Sequence, residues 1–365
     1  MLTLPKNSKP KAMTPMPLKA DMLPNRRDEA WKWTDLRGGV KDGASGLSET
    51  GLPKFTLPDG ISITEAETDD LHTDSPMARL ARNFGGKVWT ISAPAGFKSE
   101  TPLVIENLNR GHIRIRIDVG KNAELSIIEH HAGDVGGFVN IDQTITLKEK
   151  ARINRTLVHN DPETCVRIAT AHITAWKGAS VTQYALSFGG SLSRLETRLA
   201  GMGKDIEATL NGAYLLRGKR HCDMTSYIDL SVPDCTIRQA VKGVAADKSR
   251  GVFQGKFHVR KPAQHTDAEM RHDTLMLSDT SEIRSKPELE IYADDVACAH
   301  GNTIGQLDES ALFYMRQRGI PEAQARALLT EAFVADVFDD MDDEELQSSL
   351  PVSYTHLTLP TICSV

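Results

Sequence analysis

Three apolar columns recur in this chain at a single spacing. Ile117, Ile145 and Ile173 lie 28 residues apart, Ala123, Ala151 and Ala179 keep the same steps, and two residues beyond the alanines stand Leu125, Ile153 and Val181. The surrounding text is strand-like. In HIRIRIDV, Ile113, Ile115 and Ile117 alternate with Arg114, Arg116 and Asp118, which puts the isoleucines on one face toward a core and the charged residues on the other toward water. A repeat of this length, built from short strands and turns, is the pattern of a stacked solenoid in which each rung buries its apolar face on the next. The alanines then mark a tight corner between strands. A fourth, imperfect copy begins near Leu199, in LAGMGKDIEATL, at a shorter step. An antiparallel sandwich is the competing architecture, but its hairpins rarely hold the same side-chain types in register over three units.

Strand-like text runs from KVWTI at Lys87 to about Ile304, which predicts a β core over residues 87–305. Residues 1–23, rich in Pro, Lys, Met and Thr, read as a flexible arm. Residues 24–86 read as a helical cap: NRRDEAWKWTDLR carries Trp31 and Trp33, and Met77, Leu80, Ala81 and Phe84 fall at helical spacing between Ser75 and Phe84. After Gln306 the period becomes helical again, with a stop at Gly319 and a second helix opened by Pro321, giving a C-terminal helical subdomain over residues 306–345. Leu329, Phe333 and Val337 form one apolar stripe there, flanked by Leu328 and Ala332, suited to core packing or to a docked partner. The tail 346–365, with Cys363, fits neither repeat nor helix and is set aside. The reading from the residues is thus mainly β: a stacked β-solenoid core with a helical N-terminal cap and a C-terminal helical subdomain.

Composition excludes several functions. No run approaches the roughly 20 apolar residues that cross a bilayer, and the N-terminus has Pro and Lys where a secretory signal carries its apolar stretch, so a cytoplasmic location is expected. Five cysteines without a CxxC pair argue against a disulfide framework and against a self-contained zinc or iron-sulfur site. A net charge of -6 disfavours nucleic acid. There is no GxxxxGK[ST], GxSxG or HExxH, so the chain is not itself an ATPase. A β-helix carbohydrate-active enzyme is a distant alternative. Adjacent Asp294 and Asp295 cannot converge on one substrate face, however, and aromatics make up 5% of the chain, too few for a sugar-lined groove.

Cys298 and His300 are the sharpest chemical pair. At i and i+2 on a strand they share a face and bring a thiol and an imidazole, both ligands for iron, zinc or copper, to one spot. Two ligands make half a site, which a partner could complete; the competing reading is a buried cysteine beside an incidental histidine. His258, His265 and His272 recur every seven residues, an odd spacing that sends strand neighbours to opposite faces and makes them surface or polar-lining residues. The same parity divides His130 from His131 and His221 from Cys222.

The segment from Lys286 to Gly301, KPELEIYADDVACAHG, with its continuation through LDESALFYMRQRGIPEAQARALLTEAF, closely resembles the SufB/SufD family of iron-sulfur cluster assembly proteins. The resemblance continues more weakly through GVFQGKFHV, KPAQHTDAEMRHDTLML and DEAWKWTDLR, and the form ADDVACAHG is similar to the SufD branch. The resemblance implies a right-handed parallel β-helix between helical ends, working as a non-catalytic scaffold with no cofactor of its own. It also implies a complex in which this subunit pairs with SufB along the solenoid cores while its C-terminal helices dock the ATPase SufC. On that pattern His300 and Cys298 lie at the SufB interface, sharing a transient iron-sulfur cluster or iron, and Leu329, Phe333 and Val337 serve SufC docking or the packing behind it. A SufB-like or homodimeric scaffold is the nearer alternative. His272 and Asp273 depart from the pattern, standing where family members often have Asn.

Overall fold

The computed structural model describes residues 22–40, 46–66, 75–107 and 110–341; most of the expected arm, and the tail with Cys363, lie outside the described residues. Eighteen strands among them form two nine-stranded sheets. One sheet contains Lys54–Thr56 (β1), Leu103–Asn107 (β4), Glu124–His131 (β6), Arg152–His159 (β8), Ser180–Ser187 (β10), Glu207–Leu216 (β12), Thr236–Ala245 (β14), Asp267–Met276 (β16) and Ala297–Gly305 (β18). The other contains Ser62–Ala66 (β2), Val88–Ala93 (β3), Gly111–Val119 (β5), Phe138–Leu147 (β7), Val166–Ala175 (β9), Leu192–Gly201 (β11), His221–Leu230 (β13), Arg250–Val259 (β15) and Glu282–Ile291 (β17). From β5 onward the chain alternates between the sheets and each strand pairs in parallel with the strand two places back, which is a β-solenoid of about eight turns.

The repeat columns are the rungs of this ladder. Ile117 pairs in register with Ile145, and Ile145 with Ile173. The column continues through Leu199, Ile228, Phe257 and Leu289, so the imperfect copy at Leu199 is a true rung with a shorter loop. Leu125, Ile153 and Val181 also stack directly, and Ala123, Ala151 and Ala179 are fully buried at the corner. Just before each corner residue stands one with positive φ: Asn122, Lys150, Gly178, Asp205, Asp234 and His265. Their backbones stack, with Asn122 N–H donating to Glu149 C=O at 3.0 Å and Lys150 N–H to Lys177 C=O at 2.8 Å. The left-handed residue turns the chain sharply, and the next side chain must point inward where little width remains. Each large apolar residue sealed between rungs contributes on the order of 1.5–3 kcal/mol.

The outer faces are less wet than strand alternation predicts. Arg114, expected in water, is buried because helix Pro76–Phe84 (the longer of two N-terminal helices, α2, after α1 at Leu36–Gly39) lies across β5 and β7. Met77, Leu80 and Phe84 from this helix join Trp31 and Leu36 in a second apolar cluster on the sheet exterior. The cap also contains the short strands β1 and β2, which the helical reading of residues 24–86 omitted; both pair antiparallel, β1 with β4 and β2 with β3. Trp31 stacks on the buried Arg194 guanidinium at 4.3 Å, and Arg194 in turn is held by Asp223 at 2.7 Å and Glu196 at 3.0 Å.

The lumen is not purely apolar. Arg155, nearly inaccessible, donates to Glu129 at 2.5 Å, to Gln183 at 2.7 Å and to Gln143. Glu129 also receives Gln143 at 2.7 Å and pairs with His131 at 3.0 Å, so every arm of this buried ion pair is hydrogen-bonded.

At the C-terminal end Glu309–Gln317 (α3) and Glu322–Ala335 (α4) form a hairpin. Asp308 caps the first helix by accepting from Ser310 N–H at 2.8 Å, and Gly319 follows it at φ 85°, the expected stop. Pro321 caps α4 from just outside. No described helix is long and apolar enough to cross a membrane.

Candidate functional site

Strands β17 and β18 end their sheets, so each is hydrogen-bonded on one side only. In β16 the even-numbered residues Ala268, Met270, His272 and Thr274 point into the lumen and are buried. Register carries this parity onto β18: Ala268 pairs with Cys298, Met270 with His300, His272 with Asn302 and Thr274 with Ile304. Cys298 therefore ends the interior column that begins at Leu125, and His300 ends the neighbouring one. Among the described residues no rung follows, so the inward face of β18 opens outward: Cys298 is half-buried and His300 exposed. Thiol and imidazole share one face at the solenoid mouth, as the i, i+2 spacing predicts.

The four described cysteines divide sharply. Burial pushes the thiols of Cys165 and Cys222 up to about 12 and that of Cys235 up to about 11, which makes them inert packing residues. Burial raises the Cys298 thiol less, with the Ala268 backbone hydrogen bond opposing it. Among the described residues no three His, Cys, Asp or Glu side chains converge as metal ligands, so the chain's own contribution at the mouth is Cys298 and His300. On the same two strands and their turn Ile291, Tyr292 and Ile304 are apolar side chains at least 40% exposed. Lys286 of β17 reaches back to Glu29 at 2.7 Å, which ties the N-terminal segment to the last rung.

The other sequence candidates fall elsewhere. Asp294 and Asp295 lie in the turn between β17 and β18, where both backbone N–H groups donate to Gln264 Oε1. His265 is not on a strand at all but in a left-handed turn, exposed, between Asp234 at 3.0 Å and Asp295 at 3.4 Å. His258 sits on the outer face beside Asp229 at 3.4 Å. His130 is exposed and His131 buried, and Cys222 points inward while His221 is covered from outside, 3.3 Å from Thr34 Oγ1. Leu329 and Phe333 are half-buried against the solenoid face formed by Tyr184, Leu215 and Val244, and Val337, in the 3-10 turn after α4, is buried there. This stripe therefore packs inward, and the large apolar side chains the hairpin leaves in solvent are Phe313 (64% exposed), Tyr314 (57%) and Leu328 (41%).

The strand pattern alone missed one polar string. His272 is fully buried, stacked on Phe253 at 4.7 Å, with its Nε2 3.0 Å from Tyr214 Oη and its Nδ1 3.0 Å from Ser285 Oγ. Gly243 and Gly251 make room for the Tyr214 ring, since a Cβ at either position would come within 2.4 Å of it. Desolvation pushes the imidazole down to about 3, so it is neutral. Inward parity on β16 would have marked His272, but its partners come from β12 and β17, far away in sequence.

The described strands thus define a β-solenoid protein whose last two strands set Cys298 and His300 on one face at its open end. Residues 105–333 match the family model described as SUF system FeS cluster assembly, SufBD core domain. The chain is 25% identical over 370 residues to the iron-sulfur cluster assembly protein SufD of Escherichia coli, covering 90% of this chain and 88% of that one. It is 30% identical over 396 residues to an iron-sulfur cluster assembly SufBD family protein of Synechocystis, covering 90% and 86%, and 25% identical over 367 residues to one of Mycobacterium tuberculosis, covering 92% and 89%. The chain belongs to the SufB/SufD family of iron-sulfur cluster assembly proteins and is of the SufD type.

Proposed function

We propose that this chain is the SufD-type scaffold subunit of a cytoplasmic iron-sulfur assembly complex, in which its open solenoid end joins SufB and its Cys298 and His300 share the nascent cluster with that partner. The observation that carries this reading is the placement of both residues on the inward face of the terminal rung. Two parallel strand edges with no described neighbour, beside the exposed Ile291, Tyr292 and Ile304, form a template for strand pairing with another chain. The cluster is the cargo; the chain supplies at most a thiolate and an imidazole and depends on the partner for the rest. ATP hydrolysis belongs to SufC, which docks on the C-terminal hairpin through the exposed Phe313, Tyr314 and Leu328, with Leu329, Phe333 and Val337 as the packing behind them.

In the co-purified complex of the full chain with SufB and SufC, His300→Ala is expected to leave subunit stoichiometry unchanged. Cluster delivery to an apo-acceptor should fall by about tenfold or more, the scale on which loss of a metal-site group acts. An intact complex with full delivery from the variant would remove His300 from the mechanism. Sizing the chain with and without SufB separates this reading from a homodimeric scaffold.

A further inference from the structure

We infer that the Ser285 hydroxyl is a hydrogen-bond donor to the sulfur of the group held at the solenoid mouth, oriented by the buried pair Tyr214 and His272, which act as positioning residues. This rests on the shared-site reading above. Tyr214 is sealed in the lumen, and the one hydrogen-bond partner of its hydroxyl among the described residues is His272 Nε2. A buried phenol left with an undonated proton is costly, so the O–H donates and Nε2 accepts. A neutral imidazole with Nε2 as acceptor carries its proton on Nδ1. That Nδ1–H then donates to Ser285 Oγ, and the Ser285 proton has to point away from His272.

Ser285 pairs with the inward-pointing Phe253 and so faces the lumen from β17, beyond which no described strand pairs. Its proton is consequently directed into the mouth. His272 also pairs in register with Asn302, which stands one side-chain step, about 7 Å, from His300 on the same face. Ser285 and Asn302 thus flank His272 from the two strands of the last rung. Hydrogen bonds to cluster or thiolate sulfur lower its electron density and tune the bound iron, which gives the donor a chemical purpose beyond packing.

The test uses the full chain in complex with SufB and SufC, reconstituted without oxygen from ferrous iron and sulfide. Ser285→Ala is expected to assemble, to shift the sulfur-to-iron charge-transfer absorption, and to lose iron to a chelator roughly tenfold faster, the effect of one hydrogen bond to a charged group. Ser285→Thr should restore both readings, and Tyr214→Phe, which frees the imidazole to take the other tautomer, should move them the same way as Ser285→Ala. Wild-type absorption and iron loss in Ser285→Ala, beside a His300→Ala complex that has lost its cluster, overturns the inference and leaves the shared site standing. Wild-type behaviour in both variants overturns the shared site and the inference together. Should Ser285→Ala fail to assemble, a Tyr214→Phe complex with unchanged absorption overturns it.

Discussion

Replacing Arg155 by alanine is expected to destabilise the protein by about 3–5 kcal/mol, the range for breaking a buried ion pair from one side. The guanidinium lies between rungs with contacts to Glu129, Gln143 and Gln183, and all of these groups are sealed from solvent. Arg155 and His131 hold the Glu129 carboxyl far below the usual range against a strong desolvation that pushes the other way. Without Arg155 that carboxylate must remain charged in the lumen or take up a proton. Either course also leaves Gln183 and Gln143 short of a donor. Adding Glu129→Gln to Arg155→Ala should recover part of the loss, because residues in one network couple strongly. Chemical denaturation of the two single variants and the double variant measures this; a loss below about 1.5 kcal/mol in Arg155→Ala would show that water reaches the lumen at this rung.

Stability is expected to fall steeply as the pH drops from about 6.5 toward 4. Desolvation lowers His112, His172 and His221 to about 4 and His272 to about 3, so all four are neutral in the folded chain. The unfolded chain takes up protons on these residues near pH 6.5 while the folded chain does not, so their contribution is full above that pH and is lost progressively below it. At pH 5 each histidine accounts for roughly 2 kcal/mol of the decline. The depressed carboxylates Glu129, Asp161 and Glu196 work in a lower window, below the ordinary carboxylate pKa near 4, and leave the pH 5–7 interval to the histidines. Denaturant midpoints at pH 7, 6 and 5 follow the histidine window, and one at pH 3 adds the carboxylate window. A flat profile between pH 7 and 5 would mean that these rings are protonated or hydrated in the folded state.

Much of the fold was legible because a solenoid is nearly one-dimensional: each rung contacts the next, so contacts in space reappear as columns at a fixed period in sequence. Ile117, Ile145 and Ile173 are neighbours for that reason alone. The same local logic found Cys298 and His300, whose shared face needs nothing beyond strand parity. It failed where a distant segment covers an outer face. Arg114 reads as a surface residue until α2 is laid over it, and the stripe of Leu329, Phe333 and Val337 could have faced either way until the sheet beneath it was known.

The sequence by itself determined the rung, the corner and the residue types at the mouth, since these follow from backbone periodicity and from the size a tight turn admits. Tertiary structure alone decided which rung is last, and with it that Cys298 and His300 end two core columns in the open. A half-buried thiol and an exposed imidazole differ from a sealed pair only by the absence of one more strand, and strand count is a property of the whole stack. It likewise brought Tyr214 and Ser285, 71 residues apart, to either side of His272, because hydrogen bonds across the lumen depend on which rungs face one another and leave no mark at any sequence spacing.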